Sequence, residues 1–170
     1  MIRTILTYPD ELLRQVAEPV IRFDDTLAAL VADLFETLTH ADGLGLAATQ
    51  VGAMQRVVVM DCGTEEIPRP LALINPRIVS QEGELVWNEG CLSLPNLRAE
   101  INRSERVEVV YMDPGGLPHR KIFEGLAAVC TQHELDHLDG TLYIDHLGAL
   151  EQKAVLAEYA PDGVEPPPLS

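Results

Sequence analysis

The apolar positions of this chain follow a helical spacing in several segments. Between residues 24 and 40 they recur every three or four positions, which predicts a helix with one buried face. That face comprises Leu27, Leu30, Val31, Leu34, Phe35 and Leu38. An aspartate at position 24 or 25 is suited to cap the start of this helix. We expect further helices over residues 10–17, 125–138 and 147–159.

The central part of the chain has the pattern of strands. Residues 57–60 form a β-branched run, and residues 71–75 form another that ends at Pro76. Residues 106–112 alternate between apolar and polar side chains, and an Asp-Pro-Gly-Gly turn follows them. Residues 119–123 should then return as the partner strand of a hairpin.

The composition of the chain is typical of a globular protein and argues against a nucleic-acid-binding or membrane protein. A chain of 170 residues, of which 46% are hydrophobic, is long enough to bury one sizeable core. The net charge of −15 argues against nucleic-acid binding through a broad basic face. No uncharged apolar run approaches the length of a membrane span, and the amino terminus lacks a signal-peptide core, so we expect a cytoplasmic protein. Its three cysteines should be reduced, and Cys62 is best interpreted as a small buried hydrophobe.

The predicted helix over residues 125–138 contains the segment His133-Glu134-Leu135-Asp136-His137. Histidines four residues apart project from the same face of a helix, so both rings can bind one cation. The adjacent Glu134 can then act on a water at that cation. This pattern predicts a catalytic metal site, for which a third protein ligand is still needed.

The candidates for the third ligand are Cys91, Cys130, Asp136, His146 and several further acidic residues. Cys91 is distinguished by a glycine- and proline-containing segment around it and by a soft thiolate suited to zinc or iron(II). A second glycine-rich segment, residues 43–52, permits close backbone approach at Gly45 and offers the amide of Gln50 to a developing oxyanion. Periodicity alone cannot join these segments in space.

Taken together, the three segments resemble the peptide deformylase family. That family has the motifs Gly-X-Gly-Leu-Ala-Ala-X-Gln, Glu-Gly-Cys-Leu-Ser and Gln-His-Glu-X-Asp-His. The chain matches them at residues 43–50, 89–93 and 132–137, in the same order and at similar separations. The likeness extends from about residue 3 to about residue 148.

The resemblance implies an α+β fold with antiparallel sheets packed around a central metal-binding helix. It implies removal of the N-formyl group from formyl-methionyl peptides of newly made proteins, with release of formate. Cys91, His133 and His137 would bind one divalent ion, usually Fe2+ in this family, with Zn2+, Ni2+ or Co2+ also compatible. Glu134 would be the general acid and base. Gln50 and the backbone N–H of Leu92 would form the oxyanion hole, beside Gly45.

By the same resemblance, the methionine pocket would be lined by a largely apolar set of residues. These are Leu44, Gly45, Trp87, Glu89, Gly90, Leu92, Val129, Cys130 and the flank of His133. Trp87 stands where many relatives carry an aliphatic residue, which would reshape the pocket or its entrance. For Trp87 and Val129, ordinary core packing is an equally good interpretation.

The C-terminal region departs from the family. We expect a catalytic domain over residues 1–148 and, over residues 149–170, a short acidic helix followed by a proline-rich disordered tail. Many relatives end in a basic helix that docks on the ribosome. Here residues 151–170 contain one base, Lys153, against four acids, so ribosome docking should be weak or absent.

Two other functions are compatible with part of the sequence. A zinc endopeptidase would share the histidine pair and Glu134, but its third ligand usually follows further along the chain as histidine or glutamate. A non-catalytic module would bind a structural metal with four protein ligands. Cys91 and Gln50, each within its own motif, favour the deformylase.

Overall fold

Two antiparallel sheets flank the helix that carries the histidine pair. The computed structural model describes residues 1–65 and 67–159. Five strands form one sheet in the order β1-β2-β3-β6-β7, and β4 and β5 form a second sheet. The strands are β1 Gly45–Ala47, β2 Val57–Met60, β3 Leu71–Glu82, β4 Leu85–Cys91, β5 Leu94–Arg103, β6 Arg106–Met112 and β7 Pro118–Glu124.

Helices lie where the longer apolar repeats predicted them. They are α1 Asp25–Ala41, α2 Leu126–Leu138 and α3 Ala149–Ala157, with short 3-10 helices at Glu11–Arg14, Ala48–Val51 and Tyr143–His146. The side chain of Asp24 accepts a hydrogen bond from the Leu27 N–H and caps α1, as the sequence predicted.

The strand β2 separates the two main cores of the protein. All four of its residues are buried, and their side chains alternate between the two sides of the sheet. Val57 and Val59 pack with the buried face of α1, whereas Val58 and Met60 pack with α2. Because α2 also contacts β1 and β7, it is held firmly against the sheet. On its other side it receives side chains from β4 and β5.

Two elements differ from their prediction. The strand predicted to end at Pro76 continues to Glu82, because the ladder with β6 shifts register between Ile74 and Arg77 and then resumes. Pro76 lies within that irregularity, where its missing N–H breaks no regular pair. The helix predicted over residues 10–17 is only the four-residue 3-10 helix. Beyond it the backbone N–H of Ala17 bonds to Leu138 instead of continuing a helix.

The hairpin of β6 and β7 is present as predicted, with pairing from Arg106 and Glu124 to Met112 and Pro118. The predicted disordered tail over residues 161–170 lies outside the described residues. Among those that are described, none of the helices has the length and apolar character of a membrane span.

Candidate metal centre

Cys91, His133 and His137 converge on one point. One ligand atom from each lies within 4.8 Å of the other two, and in the described part of the chain no other group of three or more His, Cys, Asp or Glu does so. The Cys91 Sγ lies 3.3 Å from the His137 Nε2. The two histidines are one turn apart on α2, and Cys91 ends β4 where the β4–β5 register shifts. One sulfur and two imidazole nitrogens are a donor set that suits a divalent transition metal.

His133 is oriented by a buried carboxylate. The Oε1 of Glu89 lies 2.8 Å from the His133 Nδ1, which leaves the Nε2 of the ring for a metal. Arg103 donates to both oxygens of Glu89, at 2.8 and 2.9 Å. Burial raises the pKa of Glu89, but the hydrogen bonds from Arg103 and His133 outweigh it and hold that pKa at about 2. Glu89 is therefore a carboxylate that fixes the ring.

Burial controls the protonation of His137. It lowers the pKa of this imidazole well below its usual value, so the ring is neutral and can donate a lone pair to a metal. The Nδ1 of His137 is buried and has no hydrogen-bond partner among the described residues. The hydroxyl of Thr49 donates to the His137 carbonyl oxygen at 3.3 Å, which ties the end of α2 to the segment that carries Gln50.

Glu134 is a buried acid beside the three ligands. Its side-chain Oε2 is buried without a hydrogen-bond partner in the described residues. Burial raises its pKa to about 7. Gly45 packs directly on the carboxylate, since a Cβ at that position would lie 2.8 Å from the Glu134 Oε1. An acid with this pKa can both accept and donate a proton near neutral pH.

The oxygen and the nitrogen of the Gln50 side-chain amide both make hydrogen bonds. The Ala47 N–H donates to the Gln50 Oε1 at 2.9 Å, and the Gln50 Nε2 donates to the Ser93 Oγ at 3.0 Å. The same nitrogen lies 3.7 Å from the Cys91 Sγ. One N–H of this amide thus bonds to Ser93 and the other faces the Cys91 sulfur, so the amide lies beside the candidate metal ligands in a fixed orientation.

Comparison with known proteins identifies the family of the chain. The family model described as polypeptide deformylase matches residues 2–153. The chain belongs to the polypeptide deformylase family. A relative from Alkalilimnicola ehrlichii named peptide deformylase is 50% identical over 151 residues, which cover 89% of this chain and 85% of the relative. Another from Neisseria gonorrhoeae is 47% identical over 148 residues, covering 87% and 88%.

Solved structures of the family have the same fold. The peptide deformylase of Legionella pneumophila superposes with a TM-score of 0.86 at 42% identity and covers 91% of both chains. That of Synechococcus elongatus, in complex with actinonin, gives 0.86 at 39% identity and covers 96% of this chain and 92% of its own. The predicted family, α+β fold class and assignment as a hydrolase of formyl-peptide amides are thus confirmed. The family is metal-dependent, in agreement with the Cys91, His133 and His137 group.

A cavity of about 610 Å3 opens beside Cys91, His133 and Glu134. Every residue that the sequence assigned to the methionine pocket lines it: Leu44, Gly45, Trp87, Glu89, Gly90, Leu92, Val129, Cys130 and His133. Trp87 is 37% exposed, so core packing is the wrong interpretation for it. Val129 is buried and lines the cavity at the same time.

The other candidate ligands lie outside the metal-binding group. Cys130 is buried within the core that also contains Cys62, as expected for a small hydrophobe. Asp136 pairs with Arg103 at 2.6 Å and with His146 at 2.8 Å. That network begins at Glu89 and so connects His133 with Asp136, one turn along α2, and with His146.

Sequence reasoning missed three residues of the site. Arg103 donates hydrogen bonds to Glu89, and Ser93 accepts one from Gln50. The Tyr143 ring stacks on the His133 ring with the centroids 5.8 Å apart. Ser93 lies within a family motif and could have been found there. Arg103 and Tyr143 carry no signal in a single sequence, because only the fold brings them to the site.

Proposed function

We propose that this protein removes the formyl group from formyl-methionyl peptides of nascent chains by hydrolysis at the Cys91, His133 and His137 centre, and that these three residues bind one divalent ion. The observation that carries the proposal is that this ligand group lies with the buried acid Glu134 at a cavity that Gln50 also lines. Formate and a free α-amine are the products.

Fe2+ is the ion we propose, with Zn2+, Ni2+ and Co2+ as alternatives that the donor set accepts. Thiolate is a soft ligand and imidazole suits each of these metals. When bound, the ion supplies Lewis acidity, which lowers the pKa of water and polarises a carbonyl group. Three protein ligands leave a position open, as catalytic sites require and structural sites do not.

Glu134 moves the proton in this proposal. Its carboxylate accepts a proton from the attacking water and then donates it to the nitrogen that leaves the formyl carbon. The pKa of about 7 favours both proton transfers, because at neutral pH the carboxyl group can readily accept a proton and readily release it. Its burial, with 5% of the residue exposed, also limits exchange of that proton with bulk water.

Gln50 stabilises the oxyanion that develops on the formyl oxygen. Its Nε2 is aimed by the contacts with Ser93 and Ala47, so little reorganisation is needed during the reaction. We assign the backbone N–H of Leu92 as the second donor. Gly45, which carries no side chain, lets the Glu134 carboxylate lie directly against the backbone at position 45.

The cavity selects the methionine and the small acyl group. Its apolar wall, which includes Leu44, Val129 and Cys130, suits a methionine side chain. A formyl carbon bears only hydrogen, so the close packing of Gly45 on Glu134 admits it and excludes larger acyl groups. Acetyl-methionyl peptides should consequently be poor substrates, and turnover of both peptides at similar rates would refute this exclusion.

The partners follow from this reaction. The substrates are formyl-methionyl peptides or nascent chains, so we place the protein in the cytoplasm, with neither membrane nor direct nucleic-acid binding. We further propose that docking on the ribosome through the C-terminal region is weak. Of the described residues after position 148, Lys153 is the single base, against Glu151 and Glu158.

The test is formate release from formyl-Met-Ala by the metal-loaded protein, measured beside casein cleavage. We expect rapid release of formate and no cleavage of casein, because Gln50 and Cys91 have no role in the endopeptidase alternative. Glu134→Ala should abolish turnover and leave the metal bound. Simultaneous loss of metal and fold in that variant would favour a structural metal instead.

A further inference from the structure

Arg98 lies on the rim of the cavity that opens onto the metal centre, yet no motif of the sequence singled it out. It pairs with Gly90 across the β4–β5 ladder, and Gly90 directly precedes Cys91. The Arg98 Nη2 donates to the Asn88 carbonyl oxygen at 2.8 Å. A Cβ on Gly90 would lie 3.1 Å from the Arg98 Nη1. The guanidinium therefore lies against β4 at Asn88 and Gly90, the residues that precede the candidate ligand Cys91.

The charge of Arg98 is not neutralised by the protein. Among the residues that the structure describes, no carboxylate pairs with it, and it is the only lysine or arginine that lines this cavity. Two other charged residues of the cavity, Glu89 and Glu134, are buried. Asp42, the residue after α1, is exposed, and no ion pair joins it to Arg98 in the described residues. Most N–H donors of Arg98 thus remain available to a ligand.

A formyl-methionyl peptide bound in the cavity would lie near this guanidinium, because Arg98 lines the same cavity as Gln50 and Cys91. The formyl group would lie at Cys91 and Gln50, and the methionine side chain would occupy the apolar part of the cavity. An extended peptide advances about 3.3 Å per residue, so the next two residues leave the cavity at its rim. Arg98 is the cation that those residues meet there.

We propose that Arg98 is a specificity-determining residue that favours a carboxylate on one of the two residues after the formyl-methionine. A guanidinium presents parallel N–H groups to a carboxylate, and here the contact with Asn88 holds the group in place. The inference rests on the proposed function, since it names which deformylase substrates the site prefers.

The experiment compares kcat/KM for matched peptides at low ionic strength. The peptides are formyl-Met-Glu-Ala-amide and formyl-Met-Ala-Glu-amide, each beside its Gln counterpart, and formyl-Met-Ala with a free or an amidated carboxyl terminus. The two Glu–Gln pairs measure the effect of a side-chain carboxylate. The two forms of formyl-Met-Ala measure the effect of a terminal carboxylate. Exposed ion pairs are weak, so we expect the better Glu peptide to exceed its Gln counterpart by roughly two- to fivefold, mainly through KM.

Substitution should then move this ratio in a defined direction. Arg98→Gln should bring the Glu-to-Gln ratio to one, Arg98→Lys should largely restore it, and Arg98→Glu should invert it. Arg77→Gln is the matched control, because it removes one exposed positive charge that does not line this cavity and should keep the wild-type ratio. High salt should reduce the preference in the wild-type protein.

Two results would overturn the inference while leaving the proposed function intact. One is a wild-type protein that turns over every Glu and Gln peptide equally well. The other is an Arg98→Gln variant that loses kcat on all peptides alike with an unchanged ratio, since Arg98 would then only support β4. Failure of the wild-type protein to release formate from any peptide would overturn the proposed function and the inference together.

Discussion

Gly45 and Glu134 lie so close together that position 45 has no room for a side chain. A Cβ there would lie 2.8 Å from both the Cγ and the Oε1 of Glu134, so a side chain at position 45 would displace the Glu134 carboxylate. The sequence identified both residues, Glu134 from its spacing between histidines and Gly45 from its glycine-rich segment. It could not show that they touch, because they are separated by almost 90 positions and no periodic pattern connects them.

Gly45→Ala should therefore lower kcat for formyl-Met-Ala by at least about tenfold, because displacement of a catalytic group by an ångström costs rate steeply. Thermal unfolding should change little, since Glu134 can shift towards the open cavity. The control is Gly148→Ala, because a Cβ at Gly148 meets nothing within 4 Å. Wild-type kcat in Gly45→Ala would contradict the assigned role of this contact.

Arg103 is the second residue whose effect can be predicted from its contacts. It is almost fully buried, and Arg103→Met would leave the Glu89 carboxylate buried without its cation. We expect a loss of about 3–5 kcal/mol in the free energy of unfolding and, through His133, weaker metal binding by roughly 10- to 100-fold.

The matched control for Arg103 is Arg106→Met. Arg106 pairs with Glu82 and Glu124 on the exposed surface, where such pairs contribute about 0–1 kcal/mol. Chemical denaturation and metal titration of both variants provide the measurement. Equal stability of the two variants would show that the buried pair does not hold the site together.

At the scale of elements, the β4–β5 hairpin supplies the third ligand and both ends of the Glu89–Arg103 pair. The sequence did not predict this hairpin. In β5, Leu97, Ala99 and Ile101 alternate with polar residues, but Pro95 and the left-handed Asn96 interrupt the start of the pattern. By contrast, α1 and α2 were predictable because their apolar repeats are long and local.

Ile101→Ala should destabilise the protein by about 2–5 kcal/mol, because the side chain is 1% exposed and fills the core beneath the hairpin. Val86→Ala, on the paired strand and 59% exposed, should change the free energy of unfolding by less than about 0.5 kcal/mol. Thermal denaturation of the two variants tests the comparison. A small effect at Ile101 would mean that this core contributes little to the position of Cys91.

The acidic C-terminal element allows a further prediction. The full chain should not co-sediment with ribosomes at about 0.1 M salt, because phosphate contacts require several lysines or arginines and α3 offers only Lys153. Lys153→Gln should behave like the wild-type protein. Salt-sensitive co-sedimentation that Lys153→Gln abolished would contradict the prediction.

At the scale of the whole molecule, three distant segments meet at one centre. The pairing of His133 with His137 follows from helix geometry and could be predicted from sequence alone. The addition of Cys91 and Gln50 depended on family resemblance, because their positions are set by the packing of β1 and β4 around α2. Arg98 and Arg103 required the fold, since the strand register places both of them.

Anaerobic metal analysis with parallel measurement of formate release is the most direct test of this centre. We expect about one divalent ion per chain, loss of activity in proportion to its removal by a chelator, and recovery when Fe2+ is restored. The variant Cys91→Ala should lose both the metal and the activity while remaining folded. Full deformylase activity in metal-free protein, or in Cys91→Ala, would contradict the account.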